Sequence, residues 1–239
     1  VPQGADPKAY DNKNKYHDLE VQFEKRFSHG FNSGLVYTRA YGINTYRRNE
    51  FDQQLSWQPN NSVMPHRIAW TTVLELPFGK GHRWVTASPL QHIVGGWQLS
   101  WIYQYQTGTA STWSNQFFYG DIDKIGDLFK HDETFSKDVH LWFDPSIRYT
   151  TGTAAIPAGF VGFEGRSAFR PGTYHVRVFP NILDALRVDG VELLDLKVAR
   201  MFRIHEQANV SFSLDLMNSL NHTNFGAPNT DPTSTDFGR

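Results

Sequence analysis

The chain has 239 residues, of which 23 are Lys or Arg and 24 are Asp or Glu, so its formal net charge is -1. This balance excludes the basic surface that nucleic-acid binding requires, and no nucleic acid is expected as a partner. The absence of cysteine excludes a disulfide framework, a thiolate metal site and a cysteine nucleophile. Aromatic residues make up 15% of the chain although its mean hydropathy is -0.49. Apolar side chains are therefore expected to alternate with polar ones rather than to form blocks.

The ends of the sequence carry no targeting segment or membrane helix. No stretch approaches the roughly 18 to 20 apolar residues that a membrane-spanning helix needs. The sequence starts at Val1 without the basic and apolar regions of a signal peptide, and it stops at Arg239 without a tail-like composition. We therefore expect the chain to be a fragment at both ends.

Six segments show the period-two alternation that predicts β-strands. In chain order they lie near residues 16–27, 31–41, 66–78, 96–106, 190–203 and 208–218. The second is the least regular and is predicted from its Tyr and Thr content. The apolar side of the pattern is represented by Trp97, Leu99, Trp101, Tyr103, Leu194, Leu196, Val210, Phe212 and Leu214. The polar side includes Glu20, Gln22, Glu24, Glu75, Gln98, Gln104, Asp195 and Lys197.

The length of these strands favours a membrane barrel. They run well beyond the about 5 to 6 residues that are usual in globular sheets, and a tilted strand crosses a bilayer with about 9 to 11 residues. Short turns also alternate with long connections near 43–65 and 107–187, which is typical of outer-membrane barrels with their long loops outside. The predicted fold is all-β: antiparallel meander strands forming part of a transmembrane outer-membrane β-barrel, with lipid against the apolar side, a polar lumen and a large outer loop at 107–187.

A soluble antiparallel sheet packed on a core would show the same alternation, so this alternative stays open. Closure adds a constraint, because only a closed sheet satisfies every edge hydrogen bond in lipid and the smallest common barrels have about eight strands. Six strands imply that the chain is part of a larger barrel, that it oligomerises, or that the membrane interpretation is wrong.

Several short motifs resemble a known family. They are Arg26-Phe27-Ser28-His29-Gly30 with Tyr37-Thr38, His66-Arg67, Leu76-Pro77-Phe78-Gly79-Lys80-Gly81, Gly95-Gly96-Trp97-Gln98-Leu99 with Gln106-Thr107-Gly108, and the closing Asn218, Leu220-Asn221-His222-Thr223-Asn224-Phe225-Gly226, Pro228-Asn229 and Phe237-Gly238-Arg239. Together they resemble the C-terminal barrel half of TonB-dependent receptors, in the Oar-like subgroup that carries a carboxypeptidase-regulatory-like domain at its N-terminus. The resemblance covers residues 15–106 and 188–239, and the 107–187 loop has no recognised motif.

The resemblance implies an importer in the cell outer membrane of a Gram-negative bacterium. Its implied partners are outer-membrane lipid, an unknown imported ligand and the TonB system, which would act through N-terminal parts that the sequence does not contain. Arg39-Ala40-Tyr41 departs from the Trp-Ser-Lys-like continuation usual after Tyr37-Thr38. The plug domain, the TonB box, the regulatory-like domain and the final aromatic-ended strand have no counterpart in the sequence.

No motif points to an enzyme. Gly79-Lys80 lacks the preceding Gly and the following Ser or Thr of a phosphate-binding loop, since Leu74 and Gly81 occupy those positions. The sequence contains no Gly-x-Ser-x-Gly elbow and no His-Glu-x-x-His pair. We predict no catalytic residue, no cofactor and no enzymatic activity.

Two features of the large loop are candidate ligand sites. Asp121, Asp123, Asp127 and Asp132 approximate the oxygen-ligand spacing of a calcium loop, although Ile125 replaces one ligand and the twelfth position lacks Glu. The loop also carries Trp113, Phe117, Phe118 and Tyr119. These aromatics would contact a sugar or an apolar ligand, or would pack the loop on itself; self-packing is favoured because so long a loop must bury side chains to stay ordered.

Three functions compete at this point. The first is the barrel portion of a TonB-dependent importer, and the second is a structural or adhesive outer-membrane barrel that binds a partner through its long loops. The third is a soluble β-sandwich that binds carbohydrate through Trp113 and Phe117.

Overall fold

The computed structural model describes residues 12–49, 51–52, 54–79, 81, 84–85, 89, 91–129, 141–152, 155–166, 176–205 and 208–239. Its main element is one antiparallel sheet, and no described helix is long and apolar enough to cross a membrane. The sheet strands are β1 (Asn14–Ser28), β2 (Phe31–Tyr46), β3 (Ser56–Pro59), β4 (His66–Glu75) and β5 (Trp97–Gln106). The main sheet is completed by the last two strands, β11 (Val191–His205) and β12 (Ala208–Leu216). Five short strands form two small separate sheets: β6 (Ala110–Thr112), β7 (Phe118–Tyr119), β8 (Arg148–Tyr149), β9 (Gly162–Glu164) and β10 (Ile182–Arg187).

The main sheet is a meander in the order β1-β2-β4-β5-β11-β12, with β3 also paired to β2. All six predicted strands are present, and the all-β antiparallel meander is confirmed. The β4 strand ends at Glu75 rather than at residue 78, because Pro77 has no N–H to donate to the ladder. The β12 strand ends at Leu216, and two residues later Asn218 turns into the left-handed region with φ 45°.

The tightest described turn joins β1 to β2. Ser28 pairs with Phe31, and the two residues between them, His29 and Gly30, have φ values of 56° and 76°. Two positive φ values are typical of a type I′ hairpin turn, whose twist matches that of the flanking strands. We call the end of the sheet that carries this turn the short-turn end. The opposite end of the strands, where residues 47–65 and 107–190 leave the sheet, is the long-loop end.

The strand register places apolar side chains on one side of the sheet. Residues directly opposite each other in antiparallel strands share a face. One row of directly opposite residues consists of Phe23, Leu35, Trp70, Tyr103 and Leu194. A second row on the same face, four residues along the strands, consists of Phe31, Leu74, Leu99, Val198 and Leu214. We call this side the apolar face and the other side the polar face.

The sheet is open in the described residues. β1 has no described partner on its outer side, and β12 has none on the side away from β11. Apolar-face side chains on these two strands are about half exposed, for example Val21 at 53% and Val210 at 51%. A single sheet whose apolar face is uncovered by any described second layer is not a β-sandwich.

The long-loop end carries a second folded body. Residues 110–187 contain β6 to β10 and two 3-10 helices, Ile122–Phe129 and Pro145–Ile147. We call this body, together with residues 225–239, the cap. Its two connections to the sheet approach closely, because a Cβ on Gly108 would lie 1.6 Å from the Val188 carbonyl oxygen. Gly108 therefore allows the outgoing chain to pass the returning one.

The link between β4 and β5 folds at the short-turn end. It contains the one-turn helix Gln91–Val94, and Phe78 forms a β-bridge with Trp84. The indole Nε1 of Trp97 donates to the Ile93 carbonyl at 2.9 Å. The side chain of Arg200 donates to the same carbonyl, so this link is fastened to the start of β5 and to β11.

Candidate functional site

The polar face carries most of the charge of the sheet. Its acidic residues are Asp18, Glu20, Glu24, Glu75, Asp195 and Asp215, and its basic residues include Arg67 and Lys197. The predicted polar residues all fall on this face, and the predicted lipid-facing residues all fall on the other, since the two sets differ in strand parity. That the apolar face contacts lipid and the polar face lines a lumen stays a prediction.

A cavity of about 250 Å³ lies where β5, β11 and β12 meet. Asp195, Lys197 and Asp215 contribute to its lining. The Lys197 Nζ lies 3.2 Å from Asp215 Oδ1, and both side chains are about half exposed at 49% and 48%. Such a solvated ion pair stabilises a fold by about 0–1 kcal/mol, so its groups are free to exchange partners with a polar ligand at little cost.

The apolar face contains two buried hydroxyl groups, one on β2 and one on β4. Ser33 and Thr72 are 7% and 2% exposed, and their hydroxyl oxygens lie 2.9 Å apart. The Trp70 indole Nε1 also donates to Ser33 Oγ at 2.9 Å. Because each hydroxyl is hydrogen-bonded, the pair interrupts the apolar face without leaving a polar group unsatisfied.

The cap is built on an aromatic core. Trp113 is 2% exposed and stacks on Phe163 at a centroid distance of 5.2 Å, while Phe179 and Phe237 complete its surroundings. The Trp113 Nε1 donates to Ser111 Oγ at 2.7 Å, so its one polar atom is satisfied. Phe237 is 1% exposed and belongs to the segment that follows β12. The core therefore joins parts of the chain that are far apart in sequence.

A buried ion pair lies beside this core. Glu164 and Arg166 are 2% and 8% exposed. Arg166 donates through Nε to Glu164 Oε1 at 2.5 Å and through Nη2 to Oε2 at 3.0 Å, which is a two-point pairing. Burial, followed by the charge of Glu164, raises the pKa of Tyr119, whose hydroxyl lies 3.5 Å from Glu164 Oε2. Sequence analysis missed this pair; an acid and a base two residues apart within an aromatic segment were its only signal.

The segment after β12 is tied into the cap. Trp142 N donates to the Gly238 carbonyl at 2.7 Å, and the Arg148 guanidinium donates to the carbonyls of Pro232 and Ser234. The Arg148 guanidinium carbon also lies 5.6 Å from the centre of the Phe237 ring. Residues 229–239 thus fold against the large loop rather than along the sheet.

An asparagine-rich turn connects β12 to that segment. Asn218 and Asn221 have φ values of 45° and 50°, a conformation that asparagine tolerates better than most residues. Asn218 N donates to Asp195 Oδ1 at 2.8 Å, and Asn224 Oδ1 accepts from Glu192 N at 3.1 Å. β12 pairs with β11 only from Leu196 onward. The turn therefore supplies hydrogen bonds to the first residues of β11, where β12 has already left the sheet.

We expect Asn224→Ala to lower the stability of the sheet at its long-loop end by about 1 kcal/mol, the usual value of one such hydrogen bond. The measurement is the urea midpoint of unfolding of the detergent-solubilised protein. Thr223→Ala is the matched control, since Thr223 is an exposed neighbour in the same turn. Equal midpoints for the two variants would contradict the assigned role of Asn224.

The candidate ligand-site residues of the large loop differ in how far they are buried in the structure. Trp113 is in the cap core and offers almost no surface, whereas Phe117, Phe118 and Tyr119 are partly exposed. The structure thus packs Trp113 and Phe118 as the self-packing alternative describes, and ligand contact by the other aromatics stays a prediction. Asp121 Oδ1 accepts from Asp123 N at 3.0 Å, and Asp132 lies outside the described residues. Among described side chains, no group of three or more acidic, His or Cys residues could hold a metal.

Comparison with known proteins identifies the family. The family model of the outer membrane beta barrel domain matches residues 6–239, which is nearly the whole chain. No curated protein and no solved structure matches the chain significantly. The match confirms the outer-membrane location and the barrel fold class, and the soluble β-sandwich that would bind carbohydrate through Trp113 and Phe117 is wrong. The chain belongs to the outer membrane beta barrel domain family.

Proposed function

We propose that the chain is the C-terminal barrel portion of a TonB-dependent receptor of the Oar-like subgroup, and that the receptor imports a ligand across the outer membrane. The observation that carries the proposal is the continuous polar face, which runs across all six strands opposite an equally continuous apolar face. In a membrane the apolar face contacts lipid and the polar face lines a water-filled lumen.

The open edges of the sheet support a large barrel. Unpaired strand edges are not tolerated in lipid, so β1 and β12 need partner strands. The six long strands are fewer than the about eight of the smallest barrels, which have lumens filled by side chains.

The two ends of the sheet supply an orientation. Outer-membrane barrels place short turns in the periplasm and long loops outside the cell. On this basis the His29-Gly30 turn is periplasmic, and the cap is extracellular. A ligand arriving from outside would meet the cap first and the polar face next. We assign no catalytic role to any residue.

The subgroup assignment rests on the motifs quoted above, and the asparagine-rich turn gives one of them a structural reason. The resemblance is strongest at Asn218 to Gly226, where Asn218 and Asn224 hold the beginning of β11. A motif that performs a local structural task of this kind supports common ancestry of the barrel without identifying the cargo.

The importer proposal predicts that the complete protein carries a plug domain and a TonB box upstream of Val1 and captures the C-terminal domain of TonB. The measurement is co-purification from detergent-solubilised outer membranes, with a TonB-box deletion as the control that should lose capture. A complete gene without a plug region, or capture that is unaffected by the deletion, would refute the importer.

The adhesive alternative is favoured by one observation, the folded cap. Its core residues Phe143, Phe163 and Phe237 are at most 1% exposed, so the described part of the cap has a packed core of its own. Under this alternative, removing the gene would reduce attachment of cells to a surface or partner cell, whereas removing TonB would not.

A further inference from the structure

The charges on the apolar face are confined to its two ends and are nearly all basic. At the long-loop end the face carries Lys15, His17, Arg39 and His66, and at the short-turn end it carries Lys25 and Arg200. Its one acidic residue among the described strand side chains is Glu192, which accepts a hydrogen bond from the Tyr103 hydroxyl at 3.0 Å. The acidic residues of the sheet lie otherwise on the polar face. The acidic side chains of the sheet are therefore concentrated on the polar face, which also carries Arg67 and Lys197, whereas the charges of the apolar face are mostly basic.

Arg39 is held in place by its neighbours. It lies directly opposite His66 in the register of β2 and β4, and its Nη1 donates to His66 Nε2. Because a guanidinium only donates, the proton of this neutral imidazole is on Nδ1, which lies 2.8 Å from the Tyr37 hydroxyl. Arg39 itself is exposed. Its remaining N–H donors are therefore oriented by His66 while facing outward from the sheet.

Two lysines extend the same surface along the first strand. Thr45 N donates to the Lys13 carbonyl at 2.8 Å, so the register of β1 and β2 continues to Lys13, which shares the face of Lys15. The Lys15 Nζ lies 4.6 Å from the ring centre of Trp57 on β3. A Lys and Trp pair at the end of an apolar surface is typical of the membrane interface, where the ring is buried and the ammonium stays hydrated.

We propose that this surface, which we call the basic rim (Lys13, Lys15, His17, Arg39 and His66), binds the phosphate of a lipid headgroup in the outer leaflet. It lies at the extracellular edge of the apolar face, which is the depth at which headgroups begin. Arginine pairs with phosphate oxygens through two parallel hydrogen bonds, and lysine adds a mobile point charge. This inference depends on the membrane location and not on import or on TonB.

The charge complementarity singles out a lipid rather than a soluble anion. A lipid that lies against Leu19, Val21 and Leu35 places its headgroup beside Arg39, because Leu19 is directly opposite Arg39. The acyl chains and the phosphate then bind at the same time, and the apolar contacts add to the electrostatic ones. A free anion gains only the second contribution.

The first test needs no substitution. Native mass spectrometry of the complete protein in detergent would count bound bis-phosphorylated lipid A and, separately, dephosphorylated lipid A. We expect the phosphorylated lipid to be retained about 25-fold better or more, since Lys15 and Arg39 each strengthen binding to anionic lipid about fivefold. Equal retention of the two lipids, or full displacement of the phosphorylated lipid by excess inorganic phosphate, would overturn the proposal.

The second test places the effect at the rim. Lys15→Gln with Arg39→Gln is expected to weaken retention of the phosphorylated lipid about 25-fold and to leave the dephosphorylated lipid unchanged, whereas Arg39→Lys alone should lose much less. The matched control is Arg67→Gln with Lys124→Gln, which removes the same charge from the polar face and from the exposed surface of the cap. An equal loss in this control would mean that only net charge matters and would refute the rim. If the double Gln variant does not assemble, the comparison of the two lipids on the unsubstituted protein still tests whether the phosphate is recognised.

Discussion

Replacing Leu99 and Trp101 together by Lys is expected to prevent stable assembly in the outer membrane. Lys on the lipid side of a barrel costs about 2–4 kcal/mol near the bilayer midplane and about 0–1 kcal/mol near the interfaces. Trp101 lies at the middle of β5 and Leu99 two residues nearer the short-turn end, so the two substitutions together cost about 2–5 kcal/mol. Leu99 lies between Leu74 and Val198 in the register, and Trp101 contacts Trp70 edge to face at 5.2 Å. This loss is a large fraction of the whole stability of many proteins, which is about 5–15 kcal/mol.

The measurement is the fraction of protein that migrates as the folded form on unheated gels and resists urea extraction from membranes. The control changes Gln98 and Gln104 of the same strand to Lys, because both lie on the polar face. We expect the control to assemble, since its ammonium groups reach water in the lumen and one of them lies near Glu75. If both double variants assembled equally well, the apolar face would not be the lipid-facing side.

The faces of the sheet were predictable because they follow from local periodicity. Strand side chains alternate with a period of two, so the sequence around Trp97 to Gln106 defines both sides of β5 without knowledge of its neighbours. The pairing of β11 with β5 across a connection of more than 80 residues did not need to be known for this purpose. The same reasoning placed Leu194, Leu196 and Val210 correctly on the apolar face.

The end of β2 and the whole of β3 were missed for the opposite reason. Residues 42–46 extend β2: residues 42–44 pair with the start of β1, and residues 43–46 pair with Ser56–Pro59. The short strand Ser56–Pro59 shows no clear alternation. Its position depends on contacts across the intervening loop, such as the hydrogen bond from Asn60 N to the Gly42 carbonyl at 2.9 Å. A segment stabilised mainly by such pairing leaves little trace in its own composition.

The cap could not be assembled from the sequence either. Trp113, Phe163 and Phe237 lie far apart in the chain and meet in one core. An aromatic residue in a long loop can contact a ligand or pack in a core, and only the residues around it in the folded structure distinguish the two. Trp113 is surrounded by other core residues and therefore belongs to the core. The basic rim, in contrast, was present in the parity of Lys15, His17 and Arg39, but it becomes visible only when β1, β2 and β4 are aligned.

The second large effect is expected from Phe163→Ala in the cap. Phe163 is fully buried and its ring contacts Trp113, Phe118 and Phe179 at centroid distances of 5.1–5.6 Å. Truncating a buried Phe to Ala costs about 3–5 kcal/mol, because the lost transfer free energy adds to that of the cavity left behind. The cap is small, so we expect this cost to open it while the sheet stays assembled. Limited trypsin digestion of intact cells measures the result, with faster cleavage within residues 107–187 and an unchanged folded fraction on gels.

Phe51→Ala is the matched control, because Phe51 belongs to another long connection and is 77% exposed. Its loss removes little buried surface, and cleavage of the cap should stay as slow as in the unsubstituted protein. Phe163→Leu separates volume from ring stacking, since Leu fills much of the site without an aromatic face and should show an intermediate rate. Unchanged protection in Phe163→Ala would mean that the aromatic core does not hold the cap together. A parallel loss of the folded sheet would instead mean that the cap and the sheet unfold as one cooperative unit, in which case the cap is a structural part of the barrel and not a separate outer body.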